Sequence, residues 1–269
     1  MAQNLISQKE CREIQLRIMK EIDRICTKHQ LQYYIAYGSL LGAVRHHGFI
    51  PWDDDIDVIM PRADYQRLLG VIRQHPEEAA DWISLLDSAQ KDYYYPFAKL
   101  VDNRTVAKME DNLTEHGIWI DVFPIDGLPD NPWLCKIHIA LCLLLRAMVI
   151  SMTTDFSASH LGKSATLKRL LRGVAGLIGR KRVSRLEDRV MPLYTRKNNR
   201  YVGCLFSPYG QREKVEASEL FQPTRLTFEG EQFCAPYHWD AFLSRIYGDY
   251  MQLPPPEKRR THRIEAWYK

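Results

Sequence analysis

Residues 37–60 constrain this chain more than any other stretch. They run Tyr37-Gly38-Ser39-Leu40-Leu41-Gly42 through Pro51-Trp52-Asp53-Asp54-Asp55-Ile56-Asp57-Val58-Ile59-Met60. The pattern reads as a strand, a tight Gly-Ser turn, a short helix, a proline-broken loop and a second strand that opens with carboxylates. Asp55 and Asp57 flank Ile56, and on a strand such positions share one face. An isolated run of aspartates is ordinarily a solvated turn or a helix cap. Here an apolar strand follows, and Gly38-Ser39 precedes with backbone N–H groups and a hydroxyl suited to phosphate. Two adjacent carboxylates repel each other unless a cation lies between them. Hard oxygen ligands of this kind favour Mg2+, with Mn2+ the alternative. Phosphate donors beside a cation-binding acid pair describe a phosphoryl- or nucleotidyl-transfer site.

Composition limits the partners. A net charge of +4 over 269 residues suits anionic small substrates and makes no case for nucleic acid. No repeat, low-complexity tract or clear linker divides the chain, so a single domain over 1–269 is expected, with a helical insertion at about 131–196. Cys11, Cys26, Cys135, Cys142, Cys204 and Cys234 contain no Cys-x-x-Cys pair, which argues against structural zinc, and most sit among apolar neighbours. Met1-Ala2-Gln3-Asn4 lacks the basic and apolar regions of a signal peptide. A cytoplasmic location with reduced thiols is expected.

Taken in order, Cys11, Ile14, Ile18, Ile22 and Ile25 put one apolar stripe on a helix over 7–29, and Ser7 followed by Glu10 fits a capping box. A strand is expected at 32–37 and a short helix at 39–46. Arg45, near the end of that helix, either reaches back to a phosphate or neutralises the helix C-terminus. His46 and His47 have no carboxylate pattern that would make them a metal pair. Pro61 opens the next helix. Residues 82–86 read as a strand, and 96–101 with 104–109 as a strand pair around an Asp102-Asn103 hairpin turn. Alternation puts Lys99 on the face opposite the neighbours of Phe97, and strand lysines are most often solvated edge guards. The strand at 117–122 carries one acid, Asp121, while Asp126 before Gly127 reads as a turn residue.

The segment 133–152 is the most apolar, interrupted by Lys136, His138 and Arg146. Its unbroken apolar run is too short to span a bilayer, and a buried helix is expected. Leu167, Leu170, Leu171, Val174 and Leu177 then keep helical spacing among Lys163, Lys168, Arg169, Arg172, Arg180, Lys181, Arg182 and Arg185. A basic amphipathic stretch over 163–185 suits an anionic membrane surface, a lid over the site, or a solvated basic face. Residues 201–207 and 225–233 read as strands and 237–247 as a helix. Pro254-Pro255-Pro256 forces an extended stretch. Lys258, Arg259, Arg260, His262 and Arg263 follow, as a tail that either covers a nucleotide or frays.

The segment Tyr37-Gly38-Ser39-Leu40-Leu41-Gly42 with Gly48-Phe49-Ile50-Pro51-Trp52-Asp53-Asp54-Asp55-Ile56-Asp57-Val58 resembles the signature of the LicD family, bacterial phosphocholine transferases related to the fukutin group. Ile118-Trp119-Ile120-Asp121-Val122-Phe123-Pro124 is similar to the family's later acidic strand. Tyr247-Gly248-Asp249-Tyr250-Met251 with Pro254-Pro255 resembles its ending. The resemblance implies an α/β (α+β) fold, a nucleotidyltransferase-like mixed sheet flanked by helices. It implies Asp121 as a third carboxylate that holds metal or takes the acceptor's proton, and Lys99 near the substrate phosphates.

The reaction so implied moves phosphocholine, or a related phospho-alcohol, from CDP-choline to a hydroxyl of a cell-surface glycan or its lipid-linked precursor. CMP is the second product. Asp55, Asp57 and Asp121 hold Mg2+, Gly38 and Ser39 grip phosphate oxygens, and Arg45 and Lys99 add positive charge. A peripheral position at the inner face of the cell membrane follows from lipid-linked acceptors. Two other readings share the residues: transfer of NMP from an NTP, and a catalytically silent subunit of glycan assembly. A cationic choline is usually caged by aromatics, for which Tyr33, Trp52, Tyr93, Tyr94, Tyr95 and Trp119 are candidates.

Overall fold

The computed structural model describes residues 5–110, 112–157, 164–259 and 264–269. The chain begins α1 (Gln8–His29), β1 (Tyr34–Ile35), α2 (Tyr37–His46), β2 (Asp57–Pro61), α3 (Arg62–Gln74), β3 (Ile83–Leu86) and β4 (Ala98–Asp102). It continues through β5 (Thr105–Met109), β6 (Glu115–His116), β7 (Trp119–Leu128), α4 (Pro132–Thr153), α5 (Ser164–Ile178) and α6 (Arg180–Val190). It closes with β8 (Tyr201–Gly203), β9 (Val215–Glu216), α7 (Ala217–Leu220), β10 (Pro223–Phe228), β11 (Glu231–Pro236), α8 (Trp239–Tyr247) and β12 (Ile264–Tyr268).

The central sheet runs β1-β2-β7-β4-β3, with β8 on the far end of β7 and β9 beside β8. Only β2 and β7 are parallel; every other pairing is antiparallel. The result is a mixed α/β architecture with helices against the sheet. Ser7 accepts from the Glu10 amide at 3.3 Å and starts α1, whose Ile14, Ile18, Ile22 and Ile25 are wholly buried in the main core. A second core forms where Cys135, Ile139, Cys142 and Val149 of α4 meet Val183 of α6, Phe97 and Phe206. Of the six unpaired cysteines, five are buried and Cys234 is half-buried.

Several local readings change. The strand expected at 32–37 is only Tyr34–Ile35, because Tyr37 turns left-handed (φ 46°) and enters α2. Gly38 and Ser39 therefore lie in the first turn of that helix. Strands β4 and β5 do not form a hairpin. Both edges of β4 are already taken, by β3 and β7. Asp102 accepts from the Arg104 amide at 3.0 Å and from Thr105 Oγ1 through its carbonyl at 2.9 Å, swinging the chain into a separate sheet β12-β5-β6. Residues 225–233 are not one strand but a hairpin of β10 and β11, turned at Glu229 (φ 51°) and Gly230 (φ 79°). The strand at 201–207 stops at Gly203.

Asp126 is not a turn residue. It is a buried member of β7, paired with Arg62 at 2.7 Å and accepting from Thr195 Oγ1 at 3.0 Å. By length and composition α4 is long and apolar enough to cross a membrane, since its apolar character continues through Lys136, His138 and Arg146. One face is packed in the second core, but Trp133, Ile137, Leu141 and Leu144 are exposed, so the helix is buried on one side only. After the prolines the chain returns as β12 against β5. Lys163, Arg260, His262 and Arg263 lie outside the described residues.

Candidate active site

Sheet register assembles the acids. Parallel pairing of β2 with β7 sets Asp57 beside Asp121, and antiparallel pairing of β4 with β7 sets Lys99 on the other side of Asp121. One carboxylate oxygen each from Asp55, Asp57 and Asp121 lies within 4.8 Å of the others. The Asp57 amide donates to Ser39 Oγ at 2.9 Å, tying the first turn of α2 to the start of β2. Gly38 leaves room for the Asp53 carboxylate, which would have to shift to admit a Cβ at that position. That open backbone faces the same cavity as the acids.

Burial pushes the Asp57 carboxyl well above the ordinary carboxylate range. The charges of Asp55, Asp121 and Asp53 push the same way, and Lys99 opposes them. Burial also raises Asp121, again opposed by Lys99. The oxygens of Asp55, Asp57 and Asp121 thus converge on one point, with the Lys99 ammonium ion-paired to Asp121. Hard, convergent carboxylate oxygens fit a divalent cation such as Mg2+ or Mn2+.

The remaining sequence-derived residues fall in different places. Lys99 is 4 % exposed and ion-paired with Asp121, its ammonium 4.5 Å from the Trp119 ring centre and 5.4 Å from that of Phe97. It stands behind Asp121 rather than in the cavity lining. Arg45 donates to the Tyr250 carbonyl at 2.7 Å and to His46 Nε2 at 3.0 Å, again outside the lining. The cavity measures about 530 Å³ and is walled by Tyr37, Phe97, Phe123, Phe206, Tyr209 and Tyr247 as well as the acids. None of the six aromatics read from the sequence is in that wall. Tyr33 bonds Asp23, Trp52 lies under Arg259, Tyr93 and Tyr95 are in the second core, Tyr94 packs against it, and Trp119 lies under Lys99.

Two site residues escaped the sequence reading. Arg146 comes from α4, lines the cavity, stacks 5.3 Å from the Phe206 ring centre and donates to the Phe206 carbonyl. It forms no ion pair with a described carboxylate, and burial lowers its pKa. The available signal is a cation deep inside the most apolar segment, where a charge is costly unless used. Glu213 lies beneath the wall beside Ser207 and Tyr37, and burial pushes its carboxyl up to about 7.

A mixed sheet with a Gly-Ser helix start and three convergent acids, two of them on neighbouring strands, defines a transferase-type site. The family model described as "LicD/FKTN/FKRP, nucleotidyltransferase domain" matches residues 30–130, the span that holds all three acids. The chain is 30% identical over 256 residues to the lipopolysaccharide cholinephosphotransferase LicD of Haemophilus influenzae, covering 94% of each protein. The chain belongs to the LicD family. Shorter matches are 39% identity over 72 residues to an uncharacterised protein of Rickettsia typhi and 41% over 58 residues to one of Rickettsia prowazekii. They cover 26% and 22% of this chain, and 23% and 22% of those proteins.

Proposed function

We propose that the chain transfers phosphocholine, or a related phospho-alcohol, from CDP-choline or another CDP-alcohol to a hydroxyl of a cell-surface glycan or its lipid-linked precursor. The carrying observation is 30% identity over nearly the full length to a lipopolysaccharide cholinephosphotransferase, in a chain whose three acids converge in one cavity. Asp55, Asp57 and Asp121 would hold Mg2+ or Mn2+, which when bound offsets the negative charge of a diphosphate. The α2 amides at Gly38 and Ser39 point positive dipole ends at phosphate oxygens. Arg146 supplies a partly desolvated guanidinium lining the same cavity. Lys99 holds Asp121 in place, and Arg45 would reach phosphate only by leaving Tyr250.

In the reaction the acceptor oxygen attacks the phosphorus distal to the nucleoside. The bond from that phosphorus to the bridging oxygen breaks, CMP leaves, and a carboxylate oxygen of Asp121 takes the hydroxyl proton. The aromatic wall suits a quaternary ammonium head group. Unpaired, mostly buried cysteines support a reducing compartment, and the proposed location is the cytoplasm.

The test incubates purified protein and Mg2+ with CDP-choline, CDP-ribitol, CDP-glycerol, CTP and ATP. A cell-envelope glycolipid extract serves as acceptor, EDTA as control, and products are read by mass spectrometry. Metal-dependent CMP and a phospho-alcohol adduct from one CDP-alcohol are expected. Pyrophosphate from an NTP, with every CDP-alcohol untouched, would replace this reading with nucleotidyl transfer.

A further inference from the structure

The helices between β7 and β8 carry a surface that inverts ordinary amphipathicity. On α4, Trp133, Ile137, Leu141 and Leu144 are exposed along one side, Trp133 at 75 %, while Cys135, Ile139, Cys142 and Leu145 on the other side are buried. The same happens on α5. Leu167, Leu170, Val174 and Leu177 recur at helical spacing and face outward, Leu177 at 90 %. The two helices pack against each other. A helix in water normally turns its apolar stripe inward, and two adjoining helices that turn theirs outward mark a contact surface.

Charge identifies what the surface meets. Arg180, Arg182, Arg185 and Arg189 are all exposed on α6, next to α5, and Arg169 is exposed on α5 itself. None forms an ion pair with a described carboxylate. The acids of α6 do not offset them: Glu187 is buried between α6 and α4, and Asp188 is half-buried. An apolar centre with a cationic border matches the acyl boundary and phosphate head groups of an anionic bilayer.

We infer that α4, α5 and α6 form a peripheral docking surface for an anionic lipid bilayer, with the apolar stripes of α4 and α5 at the acyl boundary and the α6 arginines on lipid phosphates. The same α4 carries Arg146 into the catalytic cavity, so one helix joins the lipid-facing surface to the site. Docking does not depend on the reaction proposed above, because it is read without turnover.

The experiment is flotation of the full chain with vesicles of phosphatidylethanolamine and phosphatidylglycerol, against vesicles of phosphatidylcholine alone. Co-flotation with the anionic vesicles only, weakened by added salt, is expected. Leu170→Asp with Leu177→Asp should abolish it, and Arg182→Glu with Arg185→Glu should weaken it about tenfold or more. Circular dichroism and melting of both variants should match the parent, because all four side chains are solvent-facing. Absence of flotation by folded protein overturns the inference, as does flotation indifferent to both variants. Self-association without flotation, abolished by the leucine variant, assigns the face to a second copy and equally overturns it.

Discussion

Strand β7 carries two aspartates, Asp121 and Asp126, each paired with a cation from another element, and their surroundings send them to different work. Asp126 is fully buried against Arg62, itself 12 % exposed, and Thr195 completes its hydrogen bonding. One acid meets one guanidinium, and the charges balance. Asp121 meets Lys99, but Asp55 and Asp57 crowd the same cavity. A buried pair whose charge closes on itself is structural. A buried pair whose acid converges with two further carboxylates at one cavity is a candidate cation site.

The largest expected effect separates the two at once. Asp57→Asn should cut turnover by about a thousandfold while melting stays level or rises, because a repulsive charge is removed. CMP release and calorimetry on the same preparation check this, and full activity would break the comparison. Asp126→Ala should do the reverse. It strands Arg62 in the interior and should cost about 3–5 kcal/mol in denaturant unfolding, with turnover per folded molecule kept near the parent.

A smaller effect concerns pH. The Glu213 carboxyl is pushed up to about 7 in the fold, from about 4.3 in an unfolded chain. The folded state therefore holds the proton more tightly. The associated stability is fully present below about pH 4.3 and is lost as pH rises through about 7. Asp57 and Asp121, also raised, act in the same direction. Melting of the metal-free protein should decline from pH 5 to pH 8, and Glu213→Gln should flatten part of that decline. An unchanged slope in that variant would remove Glu213 from the account.

What the sequence made legible follows the range of the interactions. Asp55 and Asp57 are legible as an i, i+2 pair because that spacing is local, although β2 begins only at Asp57 and Asp55 lies just before it; the stripe of α1 is readable from helical spacing for the same reason. Asp121 beside Asp57 depends on a parallel pairing between distant strands, which resemblance supplied and periodicity did not. The Asp102-Asn103 turn looked like a hairpin because its chemistry is turn-like; only the occupied edges of β4 forbid the pairing. Arg146 reaches the cavity only once α4 has packed beneath Phe206, and the aromatic wall depends on that same packing. Pairwise spacing carries no trace of either. Asp126 carries a turn-like local signal because Gly127 follows it, while its partner Arg62 comes from another element.

The most direct test is Mn2+ binding followed by electron paramagnetic resonance in the parent protein, Asp57→Asn and a folded Asp126→Asn variant. The account predicts saturable binding in the parent, its loss in Asp57→Asn, and its retention in Asp126→Asn. Saturation at about 100 times Kd should also add about 2.7 kcal/mol to unfolding wherever the ion binds. Equal binding by the parent and Asp57→Asn would contradict the assignment of Asp55, Asp57 and Asp121 as the cation site.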